Sequence, residues 1–80
     1  MNDNEAWTTV RTAIGQVAPD VEAGDLVDGA RLRQDLELDS LDFLRVLEII
    51  NQNAGVDIPE KAYGEVSTVD GLVRYVATNG

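Results

Sequence analysis

Between Leu41 and Ile50 seven of ten residues are apolar, interrupted only by Asp42, Arg45 and Glu48. Together with Gln52 those polar residues fall on one narrow helical stripe, with Asn51 beside it. So wide an apolar arc is expected of a helix packed on more than one side, leaving the stripe to water or a partner. Asp39 is a good N-cap for this helix, and Asp42, three residues on, gives a weaker form of the capping box. Asn53-Ala54-Gly55 ends it, with Gly55 suited to the left-handed conformation past a helix end. The spacing thus predicts a central helix over 40–54, around which an all-α chain is arranged.

The rest of the chain reads as support. Trp7, Val10, Ile14 and Val17 recur at helical spacing with Ala6 and Ala13 on the same side, predicting a helix over 3–17 that Asp3 or Asn4 caps and Pro19 stops. Trp7 reads as a core or core-edge residue rather than a ligand contact. Residues 18–38 show no sustained period, a long connection for a compact domain. Val21, Leu26, Val27, Leu32, Leu36 and Leu38 are spaced to pin it, with a turn of helix inside it. Val56-Asp57-Ile58 is an extended link, and Pro59 suits the first turn of a short helix over 60–64, held by Ile58, Ala62, Tyr63 and Val66. Ser67-Thr68-Val69-Asp70 opens a last helix over 68–77, with Val69, Leu72, Val73 and Val76 on its apolar face. Gly71 weakens that helix, Arg74 is a solvated charge, and Asn79-Gly80 is a frayed end. Eighty residues make one domain, 1–80, of three longer helices and one short one, with a long first loop.

The chemistry available to such a domain is narrow. The chain has no Cys and no His, so it has neither a disulfide framework nor a thiolate or imidazole metal site. Asp35, Glu37 and Asp39 alternate as in a calcium loop, but Ser40 stands where the loop's glycine should be and Val46 where its closing Glu should be. The formal net charge of −9 opposes binding to nucleic acid and favours partners with basic docking faces. At physiological salt charges beyond about 8 Å are largely screened, so the acids on the docking face matter more than the total. No apolar run reaches the roughly 18 residues of a membrane span. Met1-Asn2-Asp3-Asn4-Glu5 is unlike a signal peptide, and the expected location is the cytoplasm.

Ser40 is the residue of interest. It falls in the first turn of the central helix, beside unpaired backbone N–H groups and the positive end of the helix dipole, where a phosphate group is well placed. A serine nucleophile needs an adjacent base; the one lysine, Lys61, is twenty-one residues away in sequence. A stand-alone hydrolase is therefore set aside, and Ser40 reads as a residue modified by another enzyme.

Asp39-Ser40-Leu41 resembles the Asp-Ser-Leu attachment motif of acyl carrier proteins. Asp35-Leu36 before it, Ile58-Pro59 after the central helix, and Val66-Ser67-Thr68-Val69 at the start of the last helix fall where that family places them, without a gap. The resemblance implies an acyl-carrier-protein-like four-helix bundle, monomeric, whose Ser40 carries 4′-phosphopantetheine, with Asp39 and Leu41 completing the attachment motif. It implies modification by a phosphopantetheinyl transferase using coenzyme A and Mg²⁺, and acyl groups held as thioesters for fatty-acid, polyketide or related lipid synthesis. Such a protein is no enzyme; acyl-loading, condensing or acyltransferase enzymes act on its cargo.

By the same resemblance, Asp39, Asp42, Arg45 and Glu48 form the partner-recognition face, and Leu44, Leu47, Ile58, Ala62 and Val66 line an acyl pocket, with Phe43, Tyr63 and Leu32 nearby. Arg45 departs from the family, which usually has Glu there; it is spaced to pair with Asp42 and Glu48. Asn51 and Gln52 replace further acids, and Glu37 stands where the family usually has Gly. Two other readings remain: an acidic helical interaction module without a prosthetic group, and a peptidyl or aminoacyl carrier.

Overall fold

Helix α1, Asp3–Val17, opens the fold in a computed structural model that describes residues 2–26 and 29–79. Val27, an expected loop anchor, and Gly80, part of the expected frayed end, lie outside the described residues. Asn2, rather than Asp3 or Asn4, caps α1: its side chain accepts from the Glu5 amide at 2.8 Å and donates to the Glu5 carboxylate at 2.8 Å. Glu5 favours Asn2 because it lies three residues beyond it, where its amide and its carboxylate both reach the Asn2 side chain, a side-chain variant of the capping box. Ala6, Val10, Ala13 and Ile14 are fully buried along α1, while Trp7 and Val17 pack at the core's edge. The helix stops where Ala18 leaves the helical region (φ −131°, ψ 78°), as the ring of Pro19 disfavours helical angles at the residue before it.

The long connection is fastened along much of its length. It contains a 3₁₀ turn, Ala23–Asp25, and buries Leu26, Ala30, Leu32, Leu36 and Leu38. Leu32 N–H donates to Ser67 C=O at 2.9 Å and Val69 N–H to Ala30 C=O at 2.9 Å, so the loop pairs with the chain entering the last helix. The Asp35 carboxylate accepts from the Arg31 amide at 2.8 Å and from its guanidinium at 3.1 and 3.2 Å, closing the turn that begins the approach to Ser40. A period search cannot see such a segment, because its apolar anchors follow turns.

Helix α2, Ser40–Ala54, buries Phe43, Val46, Leu47 and Ile50. Gly55 ends it with φ 69° and ψ 19°, its N–H reaching Asn51 C=O at 2.9 Å. The expected short helix over 60–64 is a single 3₁₀ turn, Glu60–Ala62, followed by further turns. Ala62 N–H bonds to Pro59 C=O and Tyr63 N–H to Glu60 C=O, at 2.9 and 3.0 Å, both three residues back. So few residues do not offset the cost of nucleating an α-helix; buried Ile58, Ala62 and Val66 hold the turn instead.

Helix α3, Val69–Asn79, runs two residues beyond the expected end, and the Asn79 side chain donates to Tyr75 C=O at 2.9 Å. Thr68 supplies the cap, its hydroxyl accepting from the Gly71 amide at 3.0 Å, whereas the Ser67 hydroxyl donates to Gly64 C=O at 3.1 Å. Gly71 is more than a weak spot: a Cβ there would collide with the Glu65 carbonyl oxygen, so its bareness lets α3 seat against the preceding turn. Arg74 pairs with Asp70 at 3.3 Å rather than standing alone, an exposed contact of little energetic weight. Helix α1 packs against both α2 and α3, and among the described residues there is no strand beyond the isolated bridge between Arg31 and Thr68.

Candidate attachment site

The start of α2 is fixed from both sides. Asp39 is extended (φ −81°, ψ −178°) and its carboxylate accepts from the Asp42 amide at 2.8 Å. Leu38 and Phe43, buried to 3% and 7% exposure, occupy the two positions a hydrophobic staple uses to set the angle at which a chain joins a helix. Between them Ser40 is exposed, and no side chain among the described residues hydrogen-bonds its hydroxyl. The turn into this arrangement passes through Glu37 at φ 59°, the left-handed region that penalises a Cβ. Glu at this position therefore carries backbone strain that Gly would not.

Ser40 opens onto a groove of about 1190 Å³. Ser40, Phe43 and Leu44 form its α2 side; Arg31, Arg33 and Gln34 come from the loop, and Tyr63, Gly64 and Ser67 from the turns before α3. Phe43 and Tyr63 meet edge to face, 5.5 Å between centroids and 87° between planes, joining two sides of the groove.

The expected site residues separate into two sets. Asp39, Ser40, Leu41, Arg45 and Glu48 are exposed and Asp42 half-buried, all on the outer side of α2 or at its start. Leu41 and Leu44, counted by residue type in the wide apolar arc, are 71% and 44% exposed, so the buried arc is narrower than the composition suggests. Of the expected pocket residues only Leu44 borders the groove, while Leu47, Ile58, Ala62 and Val66 are packed in the core. Among the described residues Arg45 pairs with neither Asp42 nor Glu48; Glu48 accepts instead from Gln52 at 3.5 Å.

Sequence reasoning missed Arg31, Arg33, Gln34 and Ser67 as groove residues. The i,i+4 spacing of Arg31 and Asp35 was the one available signal. Hydrogen bonds from the Arg31 side chain and amide lower the Asp35 pKa from its ordinary value, and the same partnership raises that of Arg31. Asp35 is thereby committed to holding the loop. Among the described residues no cluster of three or more carboxylate, His or Cys side chains is placed to hold a metal ion.

The model of the phosphopantetheine attachment site matches residues 8–76, nearly the whole chain. The chain belongs to the acyl carrier protein family. Its matched relatives include the acyl carrier protein of Rubrobacter xylanophilus, 32% identical over 56 residues, covering 70% of this chain and 69% of that protein. The mitochondrial acyl carrier protein of Saccharomyces cerevisiae is 30% identical over 67 residues, 84% of this chain and 54% of that protein. The 5-methylorsellinic acid synthase of Aspergillus terreus is 32% identical over 76 residues, 95% of this chain but 3% of the synthase. The carrier thus spans about half of the mitochondrial relative and a small part of the fungal synthase.

Phosphopantetheine is the family's prosthetic group, and the residues present fit it: an exposed serine at the capped start of a helix, among the residues that line a groove. Members of this family are modified by phosphopantetheinyl transferases and work with synthase enzymes. No helix among the described residues is long and apolar enough to cross a membrane.

Proposed function

We propose that the chain is an acyl carrier whose Ser40 holds 4′-phosphopantetheine through a phosphodiester, for fatty-acid, polyketide or related lipid synthesis. The observation that supports this most is the exposure of Ser40 at the capped start of α2, inside the matched attachment region. The group's terminal thiol supplies thioester chemistry, which a chain without cysteine does not have of its own. Asp39 keeps the helix start rigid, Leu38 and Phe43 fix its direction, and Ser40 presents its oxygen to a transferase that brings its own base.

Asp39, Leu41, Asp42, Arg45 and Glu48 serve as the face read by the transferase and by acyl-loading, condensing or acyltransferase enzymes, with exposed Leu41 as apolar anchor and the acids meeting basic docking surfaces. The carrier works as a monomer in the cytoplasm, a reducing compartment that suits a cysteine-free chain. Acyl chains find shelter by displacing the turn over 60–62, held by few local hydrogen bonds, so that Ala62 lifts away from Leu47, Ile58 and Val66. Incubation with coenzyme A, Mg²⁺ and a promiscuous phosphopantetheinyl transferase tests the reading. Intact mass should show one phosphopantetheine increment, absent from Ser40→Ala; an unmodified wild-type chain across several transferases would favour a non-carrier interaction module.

A further inference from the structure

Of the two arginines bordering the groove that Ser40 lines, Arg31 is held by Asp35 through three contacts. Arg33 makes no ion pair or side-chain hydrogen bond among the described residues. Its backbone is nevertheless fixed: Leu32, its neighbour, is fully buried and bonded to Ser67 C=O, and the Arg31–Asp35 clamp closes the turn around it. Among the described residues Arg11, Arg45 and Lys61 also make no ion pair, but of these four cations Arg33 is the one that borders the groove lined by Ser40.

We propose that Arg33 is a positioning residue for the prosthetic arm: its guanidinium contacts the phosphodiester on Ser40 and lays the arm along the groove across Phe43 and Tyr63. This rests on attachment at Ser40. The chemistry is complementary, since a guanidinium offers a planar fork of donors to phosphate oxygens. Exposed ion pairs are individually weak. Here the phosphate is bonded to the groove's own serine, so the contact is intramolecular, with an effective concentration of about the millimolar range even without close fit. Two carboxylates oppose it. Asp39 accepts from the Asp42 amide, whereas Glu37 borders the groove as an exposed charge. Arg33 offsets Glu37, and removing Glu37 should strengthen the contact.

The test compares apo and loaded protein by NMR, with intact mass confirming loading first, so that failure of attachment is read there and failure of the positioning role only in the loaded protein. In wild type, loading should shift the Arg33 side-chain N–H and the Phe43 and Tyr63 ring signals, and added salt should reverse those shifts. In Arg33→Gln, which loses no partner in the apo fold, the shifts should shrink to Asp39–Leu41; in Glu37→Gln they should grow. Wild-type shifts confined to Asp39–Leu41, or an Arg33→Gln pattern equal to wild type, would overturn the proposal.

Discussion

The two faces of α2 are built from similar residues and do opposite things. At 3.6 residues per turn, Leu41, Leu44, Arg45, Glu48 and Gln52 fall along one side and Phe43, Val46, Leu47 and Ile50 along the other. The inner side is buried against the rest of the bundle; on the outer side Leu41 and Leu44 stand in water beside Arg45, which has no ion pair among the described residues. Leucine thus serves as core at Leu47 and as surface at Leu41. The difference lies in what the neighbouring segments cover, which residue type does not encode. The two exposed leucines lie in the first two turns of α2, on the side where Ser40 is exposed.

Truncation should separate the faces most sharply. Ile50→Ala should destabilise the fold by about 2–5 kcal/mol, a large share of what a domain of this size has, read as a lower denaturation midpoint. Leu41→Ala should change stability by less than about 0.5 kcal/mol yet lower kcat/KM for loading by about tenfold, the effect of losing an anchor worth roughly 1.4 kcal/mol. Equal stability losses at the two positions would erase the distinction. Between the faces, Asp39→Ala removes the cap that fixes the helix start and should cost about 1 kcal/mol, with slower loading as the first turn frays.

Glu37→Gly probes the turn that delivers the chain to both faces. Relief of the left-handed penalty, about 1–2 kcal/mol, exceeds the added freedom of the unfolded chain, about 0.4–1 kcal/mol. Urea denaturation should therefore show a modest gain in stability. The smallest effect concerns the Arg31–Asp35 clamp. The folded Asp35 pKa lies below the ordinary 3.8, so its contribution is present above that value and lost as pH falls through the lowered folded pKa. The stability difference between wild type and Asp35→Asn should be constant near neutrality and shrink below about pH 4.

The elements with strong apolar spacing were legible in the sequence: the stretches of α1 and α2, the breaks at Pro19 and Gly55, and the cap at Asp39. The all-α fold and the acyl carrier family were legible too, the latter through Asp39-Ser40-Leu41 and the spacing around it. What was not legible depended on contacts between distant segments. The pairing of Ala30 and Leu32 with Val69 and Ser67, the groove joining Arg33 to Tyr63, and the exposure of Leu41 and Leu44 follow from how the loop folds back, and the loop has no period. Glu37 lies between these cases. Its substitution for Gly marked the position, but only the backbone angle shows the strain it carries.

The central claim is that the outer start of α2 holds the prosthetic group at one oxygen. The chain has two serines, Ser40 and Ser67, and both border the same groove. Proteolysis of the loaded protein followed by fragment mass spectrometry decides between them. The increment should lie on Ser40, whose hydroxyl has no hydrogen-bond partner among the described residues; finding it on Ser67, whose hydroxyl donates to Gly64 C=O, would contradict the account.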